Sequence, residues 1–201
     1  MECCIFKYSP SGDRIASGGE INISIWDSHT GKLLVGPILA MVSSIVWSLD
    51  GSKLYSGGYH TRVFDSTSGT ELHRFQHDHF LYSLALSPKH NLLAGVGWNG
   101  IAQLWDTESY KPLGQPFYLR DSERFHWVSF SPDGRYLAYG GKSGKITLRM
   151  VKHSAQELPV PQTFSINPPH GTQQEALPKS PSSSCLQVDV SILAFYSMAS
   201  L

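Results

Sequence analysis

The sequence predicts an all-β fold built from tandem units of four antiparallel strands. Three observations carry this. A serine-centred turn occurs four times, as Tyr8-Ser9-Pro10-Ser11-Gly12, Trp47-Ser48-Leu49-Asp50-Gly51, Leu86-Ser87-Pro88-Lys89-His90 and Phe130-Ser131-Pro132-Asp133-Gly134, with the serines 39, 39 and 44 residues apart. Each copy closes on Ile25-Trp26-Asp27, Val63-Phe64-Asp65, Leu104-Trp105-Asp106 or Leu148-Arg149-Met150. Short runs rich in β-branched and aromatic residues lie between these landmarks, bounded by Gly, Pro, Asn and Ser. A period near 40 marks a repeat architecture.

The first unit places strands over Cys4–Ser9, Arg14–Ser17, Ile23–Asp27 and Lys32–Ile38, and the second over Val42–Ser48, Lys53–Ser56, Thr61–Asp65 and Thr70–Phe75. The third runs Leu81–Ser87, Leu92–Gly95, Ile101–Asp106 and Lys111–Phe117. The fourth has Trp127–Ser131, Tyr136–Gly140 and Ile146–Val151, with no outer strand in its pattern. Ser-Pro-x-Gly suits the first turn because proline presets φ and glycine accepts positive φ. The segment Gly57-Gly58-Tyr59-His60 is short for its place, so a tight or distorted hairpin is expected there.

These repeated residues resemble the WD40 (WD-repeat) β-propeller family over residues 3 to 151. Phrases such as Gly31-Lys32-Leu33-Leu34 and Gly69-Thr70-Glu71-Leu72 resemble uncharacterised fungal WD-repeat proteins. The resemblance implies an array of about four four-stranded blades, over 3–38, 42–75, 81–117 and 125–151, within a repeat region spanning 1–151. It also implies a polar network in each blade, joining a His before the inner strand, a Ser on the second strand, the Trp of the third and an Asp between them. The first repeat keeps Ser17, Trp26 and Asp27; the second keeps Ser56 and Asp65 but has Phe64; the third keeps His77, Trp105 and Asp106, with Gly95 in the Ser place and Asn99 in the Asp place. Asp121, Tyr139, Ser143 and Arg149 fill the four places of the last repeat. No blade carries a complete set.

Propellers close with about four to eight blades. Three arrangements stay open: a strained four-bladed ring, an arc completed by another chain or a second copy, and a piece of a longer propeller. Residues 152–184 hold six of the 12 prolines and the run Ser182-Ser183-Ser184, the composition of a disordered linker. In 185–201 the alternation Leu186, Val188, Val190, Ile192, Ala194, Tyr196 reads either as a terminal strand or as a non-native ending.

With 201 residues, 41% of them hydrophobic, the chain can bury a core. Lys plus Arg and Asp plus Glu both number 16, so no net field favours nucleic acid or an anionic membrane. The start Met1-Glu2-Cys3-Cys4-Ile5 lacks a basic stretch leading into an apolar one, and a cytoplasmic or nuclear location is expected rather than secretion. Three cysteines without Cys-x-x-Cys spacing suggest neither a disulfide framework nor zinc.

His73, His77 and His79 form the one compact group of potential metal ligands, but His77 occupies the family's structural position, so no metal or cofactor is expected. No hydrolase elbow, phosphate loop or dinucleotide fingerprint occurs, which argues against an enzyme. What remains is recognition by loops at one end of the blades, where Tyr59, His60, His79, Trp98, Arg120, Arg124 and Lys142 are the candidate protein-binding residues. Trp, Tyr and Arg are the types enriched at interface hot spots. The leading expectation is a non-catalytic scaffold or adaptor binding other proteins, with self-association through open propeller edges. The alternative is the recognition segment of a larger signalling or innate-immunity-type protein.

Overall fold

The structure is a computed structural model in which residues 5–118, 124–142 and 146–151 are described. They all fall in the compact unit Met1–Ser165; the unit Ile166–Leu201 lies outside them, as do the expected linker 152–184 and segment 185–201.

The described residues form four antiparallel sheets in which consecutive strands pair. The first contains β1 (Ile5–Tyr8), β2 (Arg14–Gly18), β3 (Asn22–Asp27) and β4 (Leu33–Leu39). The second contains β5 (Ser44–Trp47), β6 (Lys53–Gly57), β7 (Thr61–Asp65) and β8 (Glu71–Phe75). The third contains β9 (Leu81–Leu86), β10 (Leu92–Gly97), β11 (Ile101–Asp106) and β12 (Phe117–Tyr118). The fourth has three strands, β13 (Phe125–Phe130), β14 (Tyr136–Gly141) and β15 (Ile146–Met150).

One expected strand needs correction. The outer strand of the third sheet does not run over Lys111–Phe117: it is reduced to β12 and an isolated Trp105–Pro112 bridge. Pro112 and Pro116 have no N–H to donate to the ladder, and Gly114 at φ 71° turns the chain between them.

The serine-centred turns repeat atom for atom. Gly12, Gly51 and Gly134 sit at φ 77°, 72° and 71°, and their N–H groups donate to the carbonyls of Ser9, Ser48 and Ser131 at 2.9, 2.9 and 2.8 Å. Each serine Oγ then accepts the N–H that starts the next strand, from Arg14, Lys53 and Tyr136. The left-handed φ explains glycine at these three places.

Burial falls into three clusters, one at each junction between consecutive sheets. Ile5, Ala16, Ile23 and Ile25 of the first sheet meet Val42 of the crossing and Ile45, Trp47, Leu54 and Phe64 of the second sheet. Tyr55, Val63 and Phe75 meet Leu81, Leu84, Leu93 and Trp105. Ala94, Val96, Ala102 and Leu104 meet Val128, Phe130, Leu137 and Tyr139. Among the described residues no core cluster joins the fourth sheet to the first.

The polar network survives in altered forms. Trp26 Nε1 donates to Ser17 Oγ at 2.8 Å. Phe64 offers no such donor, and the buried Ser56 Oγ has no hydrogen-bond partner. Gly95 in the third sheet leaves the space that the Trp105 ring occupies: a Cβ there would lie 3.0 Å from that ring and 2.7 Å from Leu81 Cδ1. His77 serves the neighbouring sheet instead. Its Nε2 accepts the Thr61 N–H at 2.9 Å, which puts the ring proton on Nδ1, facing the His79 carbonyl at 2.8 Å. In the fourth sheet a Tyr139–Arg149 pair replaces serine and tryptophan, the guanidinium hydrogen-bonding the phenol. Asp121 and Ser143 lie outside the described residues.

Candidate interaction face

An antiparallel meander sends its first and third turns to one end of the sheet, and its middle turn and the crossing to the next sheet to the other. The two ends of this molecule differ chemically.

At the first end the turns are polar and closed on themselves. Asp27 Oδ1 accepts from the N–H groups of His29 and Thr30 and from the Thr30 hydroxyl at 3.0, 2.7 and 2.8 Å. Asp65 does the same with Thr67 and Ser68, and Asp106 with Glu108 and Ser109. These donors hold all three carboxyls below the ordinary aspartate range. The Asp of the repeat motif is therefore a turn-former. Leu49 is the one large apolar side chain that the described turns of this end expose.

At the second end the turns are apolar and aromatic. Ile21, Met41, Tyr59 and Trp98 are all exposed there, Tyr59 at 60% and Trp98 at 45%. A row of rings crosses three sheets. Tyr59 meets Phe80 edge-on at 4.9 Å between centroids, Phe80 meets Tyr82 at 5.1 Å, Tyr82 meets His126 at 4.9 Å, and His126 meets Trp127 at 5.5 Å. Beside it the Arg124 guanidinium carbon lies 4.8 Å from the centre of the Trp98 ring, a cation–π contact between the third and fourth sheets.

Local backbone explains where Trp98 stands. It opens a single 3₁₀ turn, Trp98–Gly100, in which Asn99 has φ 57° and Gly100 φ 64°. Its N–H donates to the Phe80 carbonyl at 2.9 Å, and Gly97 passes so close to that carbonyl that any Cβ would collide with it. The Trp98 backbone is thus fixed next to Phe80, and its ring stands under Arg124 and half open to solvent.

Of the seven residues singled out from sequence, Tyr59, His60, His79, Trp98, Arg124 and Lys142 all fall on this end, and the structure pairs Trp98 with Arg124. Arg120 lies outside the described residues. His79 is turned to Tyr118, whose hydroxyl is 3.3 Å from its Nε2. His73 stacks on Tyr110 at 4.4 Å, so the three clustered histidines face three different partners. Among the described residues no group of three or more His, Cys, Asp or Glu side chains could hold a metal ion.

Sequence reasoning missed Phe80, Tyr82, His126 and Trp127. The signal was there: Tyr82 and His126 occupy the same position in repeats 44 residues apart, so blade packing brings them side by side.

Successive antiparallel meanders packed face to face, each with a serine turn after its first strand and the first three with an aspartate turn after the third, define an array of β-propeller blades. The chain carries a WD repeat: the family profile "WD domain, G-beta repeat" matches residues 69–106. It is 30% identical to actin-interacting protein 1 of Drosophila melanogaster over 161 residues, covering 72% of this chain and 25% of that protein. It is 29% identical to eukaryotic translation initiation factor 3 subunit I of Culex quinquefasciatus, over 68% of this chain and 47% of that one. Protein HIR1 of the fungus Gibberella zeae matches at 32% identity over 47% of this chain and 10% of its own length. Among solved structures the β-propeller domain of Myceliophteria thermophila Cps50 (Swd1) superposes with a TM-score of 0.63 at 20% identity, over 82% of this chain and 55% of that one. The chain thus spans a quarter or less to about half of these relatives.

Proposed function

We propose that this chain is a non-catalytic scaffold that holds protein partners on its aromatic end. The observation that carries the reading is the difference between the two ends: one satisfies its polar groups internally, the other presents Tyr59, Phe80, Tyr82 and His126 in a row flanked by Trp98 and Arg124. Rigid aromatic groups lose little conformational entropy on docking, and Trp, Tyr and Arg are the types enriched at interface hot spots. The WD-repeat relatives support an interaction role, and a cytoplasmic or nuclear setting is part of the proposal. Self-association through the uncovered sheet faces belongs to the same reading.

The test is quantitative affinity capture with the full chain and with Trp98→Ala, Tyr59→Ala and Leu49→Ala variants. Loss of a partner by about tenfold or more in the first two, with the Leu49 variant unchanged, is the expected outcome; a 1.4 kcal/mol hot spot corresponds to that factor. Identical partner profiles for all four would refute the choice of end.

A second reading is the recognition segment of a larger signalling or innate-immunity-type protein. The small share of each relative that this chain spans favours it. The same face would serve in either setting.

A further inference from the structure

The two outermost sheet faces correspond, position by position, to faces that are buried at the internal junctions. Aligning the repeats on their serines places Phe6, Ile45, Leu84 and Val128 in one inner-strand position, and Tyr8, Trp47, Leu86 and Phe130 in another. In the second, third and fourth sheets these side chains face the preceding sheet, and Ile45 is 1% exposed. In the first sheet Phe6 is 67% exposed. The opposite face behaves in the same way. Leu92 and Ala102 of the third sheet are buried against the fourth, whereas their equivalents Tyr136 and Ile146 are exposed, Tyr136 at 39% against 8% for Leu92.

The faces carry the features of the internal junctions, and neither presents a charge. At the first two junctions a glycine at the end of the second strand receives the next sheet's aliphatic side chain: a Cβ on Gly18 would lie 2.5 Å from Ile45 Cδ1, and one on Gly57 2.9 Å from Leu84 Cγ. The equivalent of Gly18 and Gly57 in the fourth sheet is Gly140, and the equivalent of Ile45 and Leu84 in the first is Phe6. The first sheet's outward positions, Phe6, Tyr8, Ile15, Ser17 and Trp26, include no charge, nor do the fourth sheet's Trp127, Ser129, Tyr136, Ala138, Ile146 and Leu148. Pressing these surfaces together strands no buried ion.

We propose that two copies of this chain close on each other head to tail, the fourth sheet of each packing on the first sheet of the other to give a two-fold ring of eight sheets. A head-to-tail contact is heterologous, and closure after two copies stops it from growing into a filament. Eight sheets fall within the range of about four to eight found in propellers. The proposal rests on the scaffold reading and specifies its self-association.

The test is sedimentation velocity with light scattering on the full chain. A species of twice 22.2 kDa is expected. Phe6→Asp and Tyr136→Asp, each folded by circular dichroism, run as monomers, and mixing them restores a dimer because one junction stays intact. Independently, Phe6→Cys with Gly140→Cys, in a chain whose three native cysteines are serine, gives an intermolecular disulfide dimer under mild oxidation; this decides the matter if an Asp variant fails to fold. A wild-type monomer, open-ended polymers, or a dimer indifferent to both substitutions and without the cross-link would overturn the proposal. Trp98→Ala leaves the mass unchanged, so failure here is distinguishable from failure of the partner-binding reading.

Discussion

Trp26 Nε1 donates to Ser17 Oγ at 2.8 Å in the first sheet, and the residues equivalent to that pair in the second sheet, Phe64 and Ser56, cannot reproduce the bond. The Ser56 hydroxyl is therefore buried without a partner. An unsatisfied buried polar group costs its desolvation, about 1–3 kcal/mol, whereas a formed bond contributes about 1 kcal/mol. Ser56→Ala is expected to stabilise the chain by about 1 kcal/mol in urea unfolding, and Ser17→Ala to destabilise it by about the same amount. Equal losses for both would show that Ser56 has a partner.

Restoring the family's serine in the third sheet is expected to harm it. A side chain at Gly95 would press on Leu81 Cδ1, the Trp105 ring and Leu84 Cδ2. Overpacking of this kind costs about 1–3 kcal/mol. Gly95→Ser should lower the thermal midpoint; an unchanged or raised midpoint would mean that the Trp105 ring yields and the polar network re-forms.

Arg14 ties the first two sheets together. Its Nη1 donates to Ser66 Oγ at 3.1 Å, its Nη2 to the Gly51 carbonyl at 2.9 Å, and its guanidinium lies 5.1 Å from the Trp47 ring centre. Arg14→Lys keeps the charge but loses the planar fork, and is expected to recover less than half of the 1–2 kcal/mol or so lost in Arg14→Ala. Full rescue by lysine, measured by chemical unfolding, would show that charge alone matters.

Burial lowers the His77 pKa below its ordinary 6.5, and Nε2 is occupied as an acceptor. The unfolded chain therefore binds the proton more readily, and stability falls as pH drops from about 6.5 towards the folded-state value. His77→Gln should flatten that part of the stability curve. The same slope in the variant would assign the effect to another group.

Acid should also loosen the serine turns. The Ser48 hydroxyl, followed by the Ser52 N–H and hydroxyl, brings the Asp50 carboxyl down to about 2. Its contribution is complete above the unfolded value near 3.8 and is lost as pH falls towards 2. An NMR titration placing Asp50 near 4 would contradict the turn geometry.

The sequence by itself determined the repeat and most of the strands, because serine-glycine turns, aspartate turns and alternating apolar runs are local chemistry that recurs wherever the residues recur. It marked Trp98 and Tyr59 for the same reason: a short polar turn leaves a large ring little to cover it. Only the tertiary structure decided what those positions do together. Tyr82 meets His126 and Arg124 covers Trp98 because neighbouring sheets pack at fixed offsets, a relation between residues far apart in the chain. His77 looked like a member of its own blade's network, and packing gave it to Thr61 of the preceding sheet. The third sheet's outer strand departs from the expected Lys111–Phe117 because two prolines there have no N–H to give the ladder, a lack that matters only once a ladder must form. Open edges were expected from the count of repeats, but which residues line them was not legible in sequence: Phe6 and Ile45 are matching residues in matching repeats, and only a neighbouring sheet makes one of them core.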